Sequence, residues 1–342
     1  MNTPQNIEEL ERLLSEPPER LVKLMTRLEG DIIILGIAGK IGVSLGLQLM
    51  EAIRLSGKPR TVYGVARFSN AAERGKLDGC GVKTIQCDLL DRVQVATLPR
   101  VKNVIFMAGR KFNTDGNEAI TWAFNVLMPA IVAEHFKESR IVVFSTGCVY
   151  PLRSVKEGGC REEDKPLPVG EYSQSCLGRE RIFEYFSQKN GTPILLFRLN
   201  YSIDLRYGVL DDIGRAIWEG RAVNNSVGYF NIIWQGDVTA NAVMSLELCS
   251  APYKILNVTG PETISVEETA RCMAEIMDKD VQFLKENSGD LNYLNDSSKM
   301  CELFGSPRFT AQELMVIQAE WIKNGGISIG KPTHYEVSNG KF

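Results

Sequence analysis

The chain has 342 residues, of which 44% are hydrophobic and 24% are charged, a composition typical of one two-lobed domain or two ordinary globular domains. This composition excludes collagen, a disordered tail and a coiled coil, and no apolar run is long enough to span a membrane. The net charge of −3 provides no basic field, so neither nucleic acid nor a membrane surface is an expected partner.

The cysteines and histidines limit the kinds of metal, redox and acid–base site that the sequence indicates. Eight cysteines are spread without a Cys-x-x-Cys pair, so the sequence indicates neither a zinc site nor a redox pair, and we expect reduced thiols in the cytoplasm. Only two histidines occur, His135 and His334, so acid–base catalysis is expected to fall mainly to other side chains. No metal is expected.

The first 29 residues have the spacing of amphipathic helices. Apolar residues recur at helical intervals from Ile7 to Leu28, which predicts a helical extension over residues 1–29. The extension is interpreted as packed on the rest of the chain, with a partner-docking arm as the alternative.

From residue 31, short apolar runs alternate with amphipathic stretches. The runs predicted to be strands are 32–35, 61–66, 82–86, 104–107, 141–144, 194–199 and 255–258. Runs without alternation suit strands covered on both faces, and intervening helices imply parallel pairing. The sequence therefore predicts an α/β fold with a doubly wound parallel (Rossmann) sheet over 30–200. A smaller substrate lobe is expected over 201–342, beginning with a loop at 201–237, and 231–260 is expected to return to the sheet.

A glycine-rich turn follows the first predicted strand. Its G-x-x-G-x-x-G spacing places Gly36, Gly39 and Gly42 between a strand and a helix, with Lys40 and Ile41 inside the turn. Glycines allow a tight turn and close approach to a diphosphate, and the helix N-terminus supplies oriented N–H groups. These residues are predicted to bind a dinucleotide. The alternative is that the glycines serve only close helix packing.

The end of the second predicted strand favours NADP over NAD. No acid occurs between Thr61 and Asn70, where a carboxylate would bind the ribose 2′-hydroxyl of NAD, and Arg67 stands there instead. A cation at this place suits a 2′-phosphate. The alternatives are that Arg67 is an ordinary surface charge and that the cofactor is NAD.

Two further strand ends are consistent with a dinucleotide lying across the sheet edge. Asp88 and Leu89 follow the third strand, where a carboxylate can accept a hydrogen bond from the adenine amino group. Ala108 and Gly109 follow the fourth, where small residues let a cofactor pass close to the backbone.

Taken together, these motifs resemble the extended short-chain dehydrogenase/reductase family, the NAD(P)-dependent sugar epimerase/dehydratase type, from about residue 31 onward. The segments that carry the resemblance are the glycine turn, Asp88, Ala108-Gly109, Asn125, 144–150, 172–180, 198–201 and 257–260. The resemblance implies a cofactor contact at Asn125 and a homodimer formed through helices near 120–136 and 177–186.

The resemblance also implies the catalytic groups. Thr146 falls where the family orients the substrate oxygen, and Tyr172 falls on the family's proton donor or acceptor. Asn200 and Tyr201 fall where the family meets its substrate. The family's lysine, four residues after the tyrosine, binds the nicotinamide ribose and lowers the pKa of the tyrosine, but this position holds Cys176. We therefore place Thr146, Tyr172 and Cys176 in the catalytic set.

Cys176 leaves three outcomes open, because a neutral thiol does not favour a phenolate as a cation does. Tyr172 acts as a neutral proton donor, another cation substitutes, or catalysis has been lost. The candidate substitutes are Lys111, Lys156 and Lys165.

The residues after Thr146 bear on the reaction type. Gly147 and Cys148 stand where the family's 4,6-dehydratases carry Asp-Glu, so a dehydratase is disfavoured and hydride transfer without elimination remains. One of Cys148 and Cys176 is hypothesised to be shielded by the cofactor, the alternative being that both only fill space. Arg206, Arg215, Trp234 and Gln235 are further substrate-lobe candidates.

Two functions follow from these expectations. The first is an NADP(H)-dependent oxidoreductase or epimerase that acts on a carbohydrate-like or small carbonyl or hydroxyl substrate. The second is a non-catalytic or weakly catalytic dinucleotide-binding sensor or scaffold. Cys176 favours the second, whereas the retained Thr146 and Tyr172 favour the first.

Overall fold

The computed structural model describes residues 3–111, 114, 116–286 and 288–340. Its strands are β1 (Ile32–Leu35), β2 (Val62–Ala66), β3 (Lys83–Gln86), β4 (Asn103–Phe106), β5 (Arg140–Thr146), β6 (Ile194–Leu199), β7 (Ser202–Ile203), β8 (Tyr229–Phe230), β9 (Ile233–Trp234), β10 (Lys254–Val258) and β11 (Ile264–Ser265). Its helices are α1 (Ile7–Ser15), α2 (Glu19–Arg27), α3 (Gly42–Ser56), α4 (Ala71–Gly79), α5 (Arg92–Ala96), α6 (Glu118–Trp122), α7 (Met128–His135), α8 (Gly170–Asn190), α9 (Val209–Trp218), α10 (Gln235–Met244), α11 (Val266–Met277), α12 (Ser298–Phe304) and α13 (Ala311–Lys323). A π-helical turn, Ala123–Leu127, joins α6 to α7.

The central sheet has the order β10-β6-β5-β4-β1-β2-β3 in the described part of the chain. Each neighbouring pair is parallel. The predicted doubly wound α/β fold is therefore confirmed. Because the chain leaves β1 toward β2 and later returns to its other side as β4, the strand order reverses between β1 and β4. In open α/β sheets, ligands bind outside the carboxyl ends of the strands at this reversal.

The strands lack alternation because helices cover both faces of the sheet. All four residues of β1 are fully buried. Ile32 and Ile34 join one core cluster with α2, α3 and α10, whereas Ile33 and Leu35 join a second cluster with α7 and α8. Successive side chains point to opposite faces, so an apolar residue is needed at every position.

The N-terminal extension packs on both lobes. Leu21 and Met25 of α2 lie in the core cluster beneath the sheet. Leu10 and Leu14 of α1 lie in a separate cluster built mainly by α9, α11 and α13. Both helices therefore bury their apolar faces within this chain.

The segment 201–237 differs from the predicted loop. It contains α9 and the short strands β7, β8 and β9, and the first residues of α10. The buried residues of α9 include Val209, Leu210, Ile213, Ala216 and Ile217. Their helical spacing marks an amphipathic helix, and the polar and aromatic residues around it obscured that pattern.

After this segment the chain comes back to the sheet, where β10 pairs with β6 at the edge. The small two-stranded sheets β7-β9 and β8-β11 lie beside it. Across the described residues, no helix combines the length and the apolar character needed to cross a membrane.

Candidate active site

A cavity of about 350 Å³ lies at the carboxyl ends of the central strands, where the strand order reverses. The predicted site residues that line it are Gly36, Gly39, Lys40, Ile41, Gly109, Thr146, Tyr172, Asn200 and Tyr201. The tertiary structure thus brings together the glycine turn, the Thr–Tyr pair and the first residues of the substrate lobe.

The glycine turn is built for two different reasons. Gly36 has φ of +91°, and a Cβ atom there would lie 2.7 Å from the backbone N of Ala108. A Cβ at Gly42 would overlap the carbonyl of Ile37. These two glycines are therefore needed for packing. At Gly39 a Cβ would meet only the carbonyl O of Gly36, at 3.4 Å, so this glycine leaves space beside the cavity. Close packing does not explain Gly39, and the space fits a diphosphate.

Lys40 crosses the cavity from the glycine turn to the substrate lobe. Its Nζ atom lies 3.3 Å from the centre of the Tyr207 ring. Burial lowers the pKa of Lys40 to about 7. A bound anion would favour the charged form, because an opposite charge stabilises the protonated amine.

The predicted adenine-side residues lie outside this cavity wall. Arg67 is exposed at the end of β2, with its guanidinium 5.3 Å from the centre of the Phe124 ring. Asp88 accepts a hydrogen bond from the backbone N of Leu90 at 3.0 Å. The side chain of Leu89 is buried in the core. Arg67 and Asp88 stand at the edge formed by β2 and β3, as the sequence placed them.

Thr146 and Tyr172 meet within the cavity. Thr146 ends β5, and its Oγ1 accepts from the backbone N of Cys148 at 3.2 Å. Tyr172 lies in the first turn of α8 and lines the same cavity as Thr146. Burial raises the pKa of Tyr172 well above its usual value, and the sulfurs of Cys176 and Cys148 raise it further. The positive charge of Arg179 and the polar side chain of Thr146 act in the opposite direction and lower this pKa.

Cys176 lies behind the cavity wall. It is fully buried in a small cluster with Val149, Tyr150 and Cys160, and Tyr172 packs against this cluster. Burial raises the pKa of the Cys176 thiol to about 11. The thiol is therefore neutral at pH 7 and supplies no positive charge. Cys148, in contrast, lines the cavity itself.

The three candidate substitutes for the lysine have different environments. Lys111 lines the cavity, and burial lowers its pKa. Lys156 and Lys165 are exposed and are not part of the cavity wall. Lys111 is thus the member of this set that lies at the site.

Sequence reasoning missed Arg179, a buried cation in the cavity wall. Its Nη1 donates to the carbonyl O of Phe144 at 2.8 Å, and its Nη2 donates to Oδ1 of Asn125 at 2.7 Å. Asn125 in turn donates to Oγ of Ser175 at 2.9 Å and exchanges two hydrogen bonds with the backbone of Arg110. Asn125 is fully buried, and these hydrogen bonds join it to other groups of the protein. The Tyr172–Cys176–Arg179 spacing of four and then three residues was the available signal.

Some of the candidate substrate-binding residues line the cavity and others do not. Asn200 donates to the carbonyl O of Tyr293 at 3.0 Å while still lining the cavity. Gln235 also lines the cavity. Arg206 pairs with Asp204 at 2.6 Å, and neither Arg206 nor Arg215 lines the cavity.

The C-terminal segment closes one side of the cavity, which the sequence did not indicate. Thr333 lines the cavity, and its backbone N donates to Asp212 at 2.8 Å. Burial raises the pKa of Asp212 to about 6. Further along, Gly340 packs against Gly170 at the start of α8, close in sequence to Tyr172.

Comparison with known proteins shows which solved structures are similar to this one. No family model matches the chain, and no curated protein matches it by sequence. Solved structures match over 86% of the chain. UDP-glucose 4-epimerase from Thermotoga maritima, with UDP-glucose, has 18% identity and a TM-score of 0.72, with 99% of its chain covered. The chain has the fold of nucleotide-sugar epimerases.

Two further structures agree. UDP-glucuronic acid 4-epimerase from Bacillus cereus, in complex with UDP-glucuronic acid and NAD, has 18% identity and a TM-score of 0.70, and 99% of its chain is covered. dTDP-glucose 4,6-dehydratase from Bacillus anthracis, in complex with NAD, has 15% identity and a TM-score of 0.71, and 96% of its chain is covered. The resemblance drawn from the sequence is thereby confirmed at the level of the fold.

Proposed function

We propose that the protein is an enzyme that binds a nicotinamide dinucleotide and transfers hydride to or from a carbohydrate-like or small carbonyl or hydroxyl substrate. The observation that carries the proposal is that Thr146 and Tyr172 line one cavity together with the glycine turn. The bound nicotinamide would supply the hydride acceptor or donor. The similar folds solved with NAD and with UDP-sugars support this assignment.

In this proposal the chain's own residues hold the substrate oxygen and move its proton. Thr146 and the Tyr172 hydroxyl both hydrogen-bond the oxygen of the reacting carbon. Because burial raises the pKa of Tyr172, its hydroxyl stays protonated at pH 7 and is suited to donate the proton during reduction of a carbonyl. Gly39 and Lys40 hold the diphosphate, and Thr333 helps to exclude water.

We assign NADP as the cofactor, with NAD as the alternative. Arg67 lies exposed at the end of β2, where it is available to a 2′-phosphate, and no acid stands between residues 61 and 70 to repel that group. The similar structures are complexes with NAD, which supports a nicotinamide dinucleotide as the cofactor. The proposal of NADP rather than NAD rests on Arg67.

We also propose a cytoplasmic homodimer. Exposed apolar side chains lie along the helices expected to form the contact, namely Ile120, Trp122, Leu127 and Tyr185. All eight cysteines are free, as expected in a reducing compartment. Sedimentation of the purified chain tests the dimer, and Leu127→Glu should shift it toward monomer.

A second function is favoured by one observation. Burial raises the pKa of Tyr172 and the sulfur of Cys176 raises it further, whereas the family's lysine would lower this pKa. A dinucleotide-binding sensor or scaffold, with little or no turnover, would tolerate that change. It predicts cofactor binding without dependence on Tyr172.

The first experiment compares the affinities for NADPH and NADH through nicotinamide fluorescence. We expect tighter binding of NADPH, and about a tenfold loss of that preference in Arg67→Ala, because one charge-assisted contact is removed. Arg54→Ala is the control, since Arg54 is exposed and pairs with Glu51 on α3. Preference for NADH would overturn the assignment of NADP, and binding of neither would contradict both functions.

The second experiment separates the enzyme from the sensor. UDP-glucose, UDP-glucuronic acid and small ketones are screened for turnover with the bound cofactor. We expect Tyr172→Phe to reduce turnover at least ~100-fold with unchanged cofactor affinity. Tyr185→Phe is the control on the exposed face of the same helix. Cofactor binding without any turnover would favour the sensor.

A further inference from the structure

Arg179 shares a helix face with the proposed proton donor. It follows Tyr172 by seven residues and Cys176 by three along α8, so the three side chains lie on one side of the helix. Arg179 is 6% exposed and lines the same cavity as Thr146 and Tyr172. A permanent cation therefore stands one helical turn beyond the position of the missing lysine.

The charge of Arg179 is not neutralised by an ion pair within the described residues. Its hydrogen-bond partners, the carbonyl of Phe144 and the amide of Asn125, are both neutral. Its Nε atom is buried and has no hydrogen-bond partner there. The nearby buried Arg198, by contrast, is held by Glu180 at 2.7 Å. Because buried charges are normally paired, the uncompensated charge of Arg179 has a purpose other than packing.

The surroundings of Arg179 are shaped to hold its guanidinium in place. A Cβ atom at Gly109, three residues after the end of β4, would overlap Nη2, so a side chain there would displace the guanidinium. Phe106 lies beneath the guanidinium, with its ring centre 5.9 Å from the central carbon. The strand ends and the helix together hold this cation in the cavity wall that also contains Tyr172.

The electrostatic effect has the sign that the family's lysine would produce. The charge of Arg179 lowers the pKa of Tyr172 and also that of Cys176, in both cases against the larger effect of burial. An arginine stays charged at every working pH, which a buried lysine does not.

We propose that Arg179 is the positioning residue that supplies, from one turn further along α8, the positive charge absent at Cys176. The inference rests on the proposed function. Arg179 acts on Tyr172 through space and holds the wall beside the nicotinamide end of the cavity. Lys111, which also lines the cavity, is the competing source of charge.

The test moves the charge back to the family's position. Four proteins are compared: the wild type, Arg179→Gln, Cys176→Lys and the double variant. Glutamine keeps an amide donor for Phe144 and Asn125 but removes the charge. Arg179→Lys, which keeps a charge, is the conservative variant. Thermal unfolding and NADPH affinity, measured by nicotinamide fluorescence, are followed for each protein.

We expect the effects of the two substitutions on the Tm and on the NADPH affinity to be strongly non-additive. Cys176→Lys places two buried cations side by side and should lower the Tm by about 5 °C or more. Arg179→Gln should weaken NADPH binding by about tenfold. In the double variant the cation on this face of α8 stands at residue 176, so the Tm should recover at least half of its loss and the affinity should return to within about threefold of the wild type. Arg179→Lys should retain the wild-type affinity.

Additive effects in the Tm and in the affinity would overturn the proposal, because a merely structural arginine is not rescued by a lysine at another position. The same rescue found with Lys111→Gln in place of Arg179→Gln would also overturn it and assign the charge to Lys111. If the wild type binds neither NADPH nor NADH, the proposed function fails, while the Tm cycle still reports on the two charge positions.

Discussion

The guanidinium of Arg179 fills the space that a side chain at Gly109 would need. Gly109 follows β4, and Arg179 lies in the middle of α8, so the two residues come together only when the helix packs across the strand ends. From the sequence alone, Gly109 is expected to leave room for the cofactor. Its first role in the structure is room for a buried cation.

This relationship predicts that Gly109→Ala displaces Arg179. We expect a loss of about 1–3 kcal/mol in the free energy of unfolding, because the added methyl group overpacks a filled site. Chemical denaturation measures it. In Gly109→Ala/Arg179→Gln the loss should be smaller than the sum of the single losses. The control is Gly75→Ala, since a Cβ there meets nothing within 4 Å and α4 should gain up to ~1 kcal/mol. Equal losses in both alanine variants would contradict the steric explanation.

The glycine turn provides a test of cofactor binding against packing. Gly39→Ala should leave the free energy of unfolding nearly unchanged, because its Cβ would have ordinary contact with the carbonyl of Gly36 at 3.4 Å. It should weaken NADPH binding by tenfold or more, by filling the space that the diphosphate needs. Gly36→Ala should instead destabilise the fold, because its φ is +91° and Ala108 is too close. An unchanged NADPH affinity in a stable Gly39→Ala protein would place the diphosphate elsewhere.

A buried ion pair below the site predicts a large stability effect. Arg198 donates to both carboxylate oxygens of Glu180, at 3.0 and 2.7 Å, and Ser145 donates to the same carboxylate at 2.5 Å. Glu180→Ala leaves Arg198 buried and uncompensated, so the free energy of unfolding should fall by about 3–5 kcal/mol. Glu184→Ala, which breaks the partly exposed pair with Arg181, should cost less than about 1 kcal/mol. Similar losses in the two variants would refute this view of the pair.

Thiol alkylation tests the hypothesis of a cofactor-shielded cysteine. Cys148 lines the cavity, whereas Cys176 is fully buried behind it, so Cys148 is the shielded candidate. Burial raises the pKa of Cys148, so its thiolate is scarce at pH 7 and increases about tenfold per pH unit below that pKa. Its alkylation rate, followed by mass spectrometry, should rise accordingly between about pH 7 and 9. NADPH should slow the modification, and a rate that is independent of NADPH would exclude shielding.

Much of the fold could be predicted because it depends on local patterns. The apolar runs gave the seven strands of the central sheet within a residue or two, since a strand covered on both faces needs an apolar side chain at each position. The segment 201–237 was predicted as a loop because α9 is bounded by polar and aromatic residues. Its buried face is matched by α11 and α13, which lie far along the chain.

The site, like the fold, contains residues that could be predicted from the sequence and residues that could not. The glycine turn, Thr146 and Tyr172 could be recognised from the order of motifs, and the strand order brings them into one cavity. Thr333 could not, and for Arg179 the helical spacing indicates only a face shared with Tyr172. The roles of both residues depend on contacts with Gly109, Asn125 and Asp212, which are remote in sequence.

By itself, the sequence determined the parallel α/β architecture, the position of the glycine-rich turn and the presence of Cys176 four residues after Tyr172. Each of these features follows from the spacing of apolar residues or from the identity of particular residues. Only the tertiary structure decided which buried groups surround Tyr172, and so the sign of each influence on its pKa. Electrostatic effects depend on distance and burial, and both are set by packing between elements that are remote in sequence.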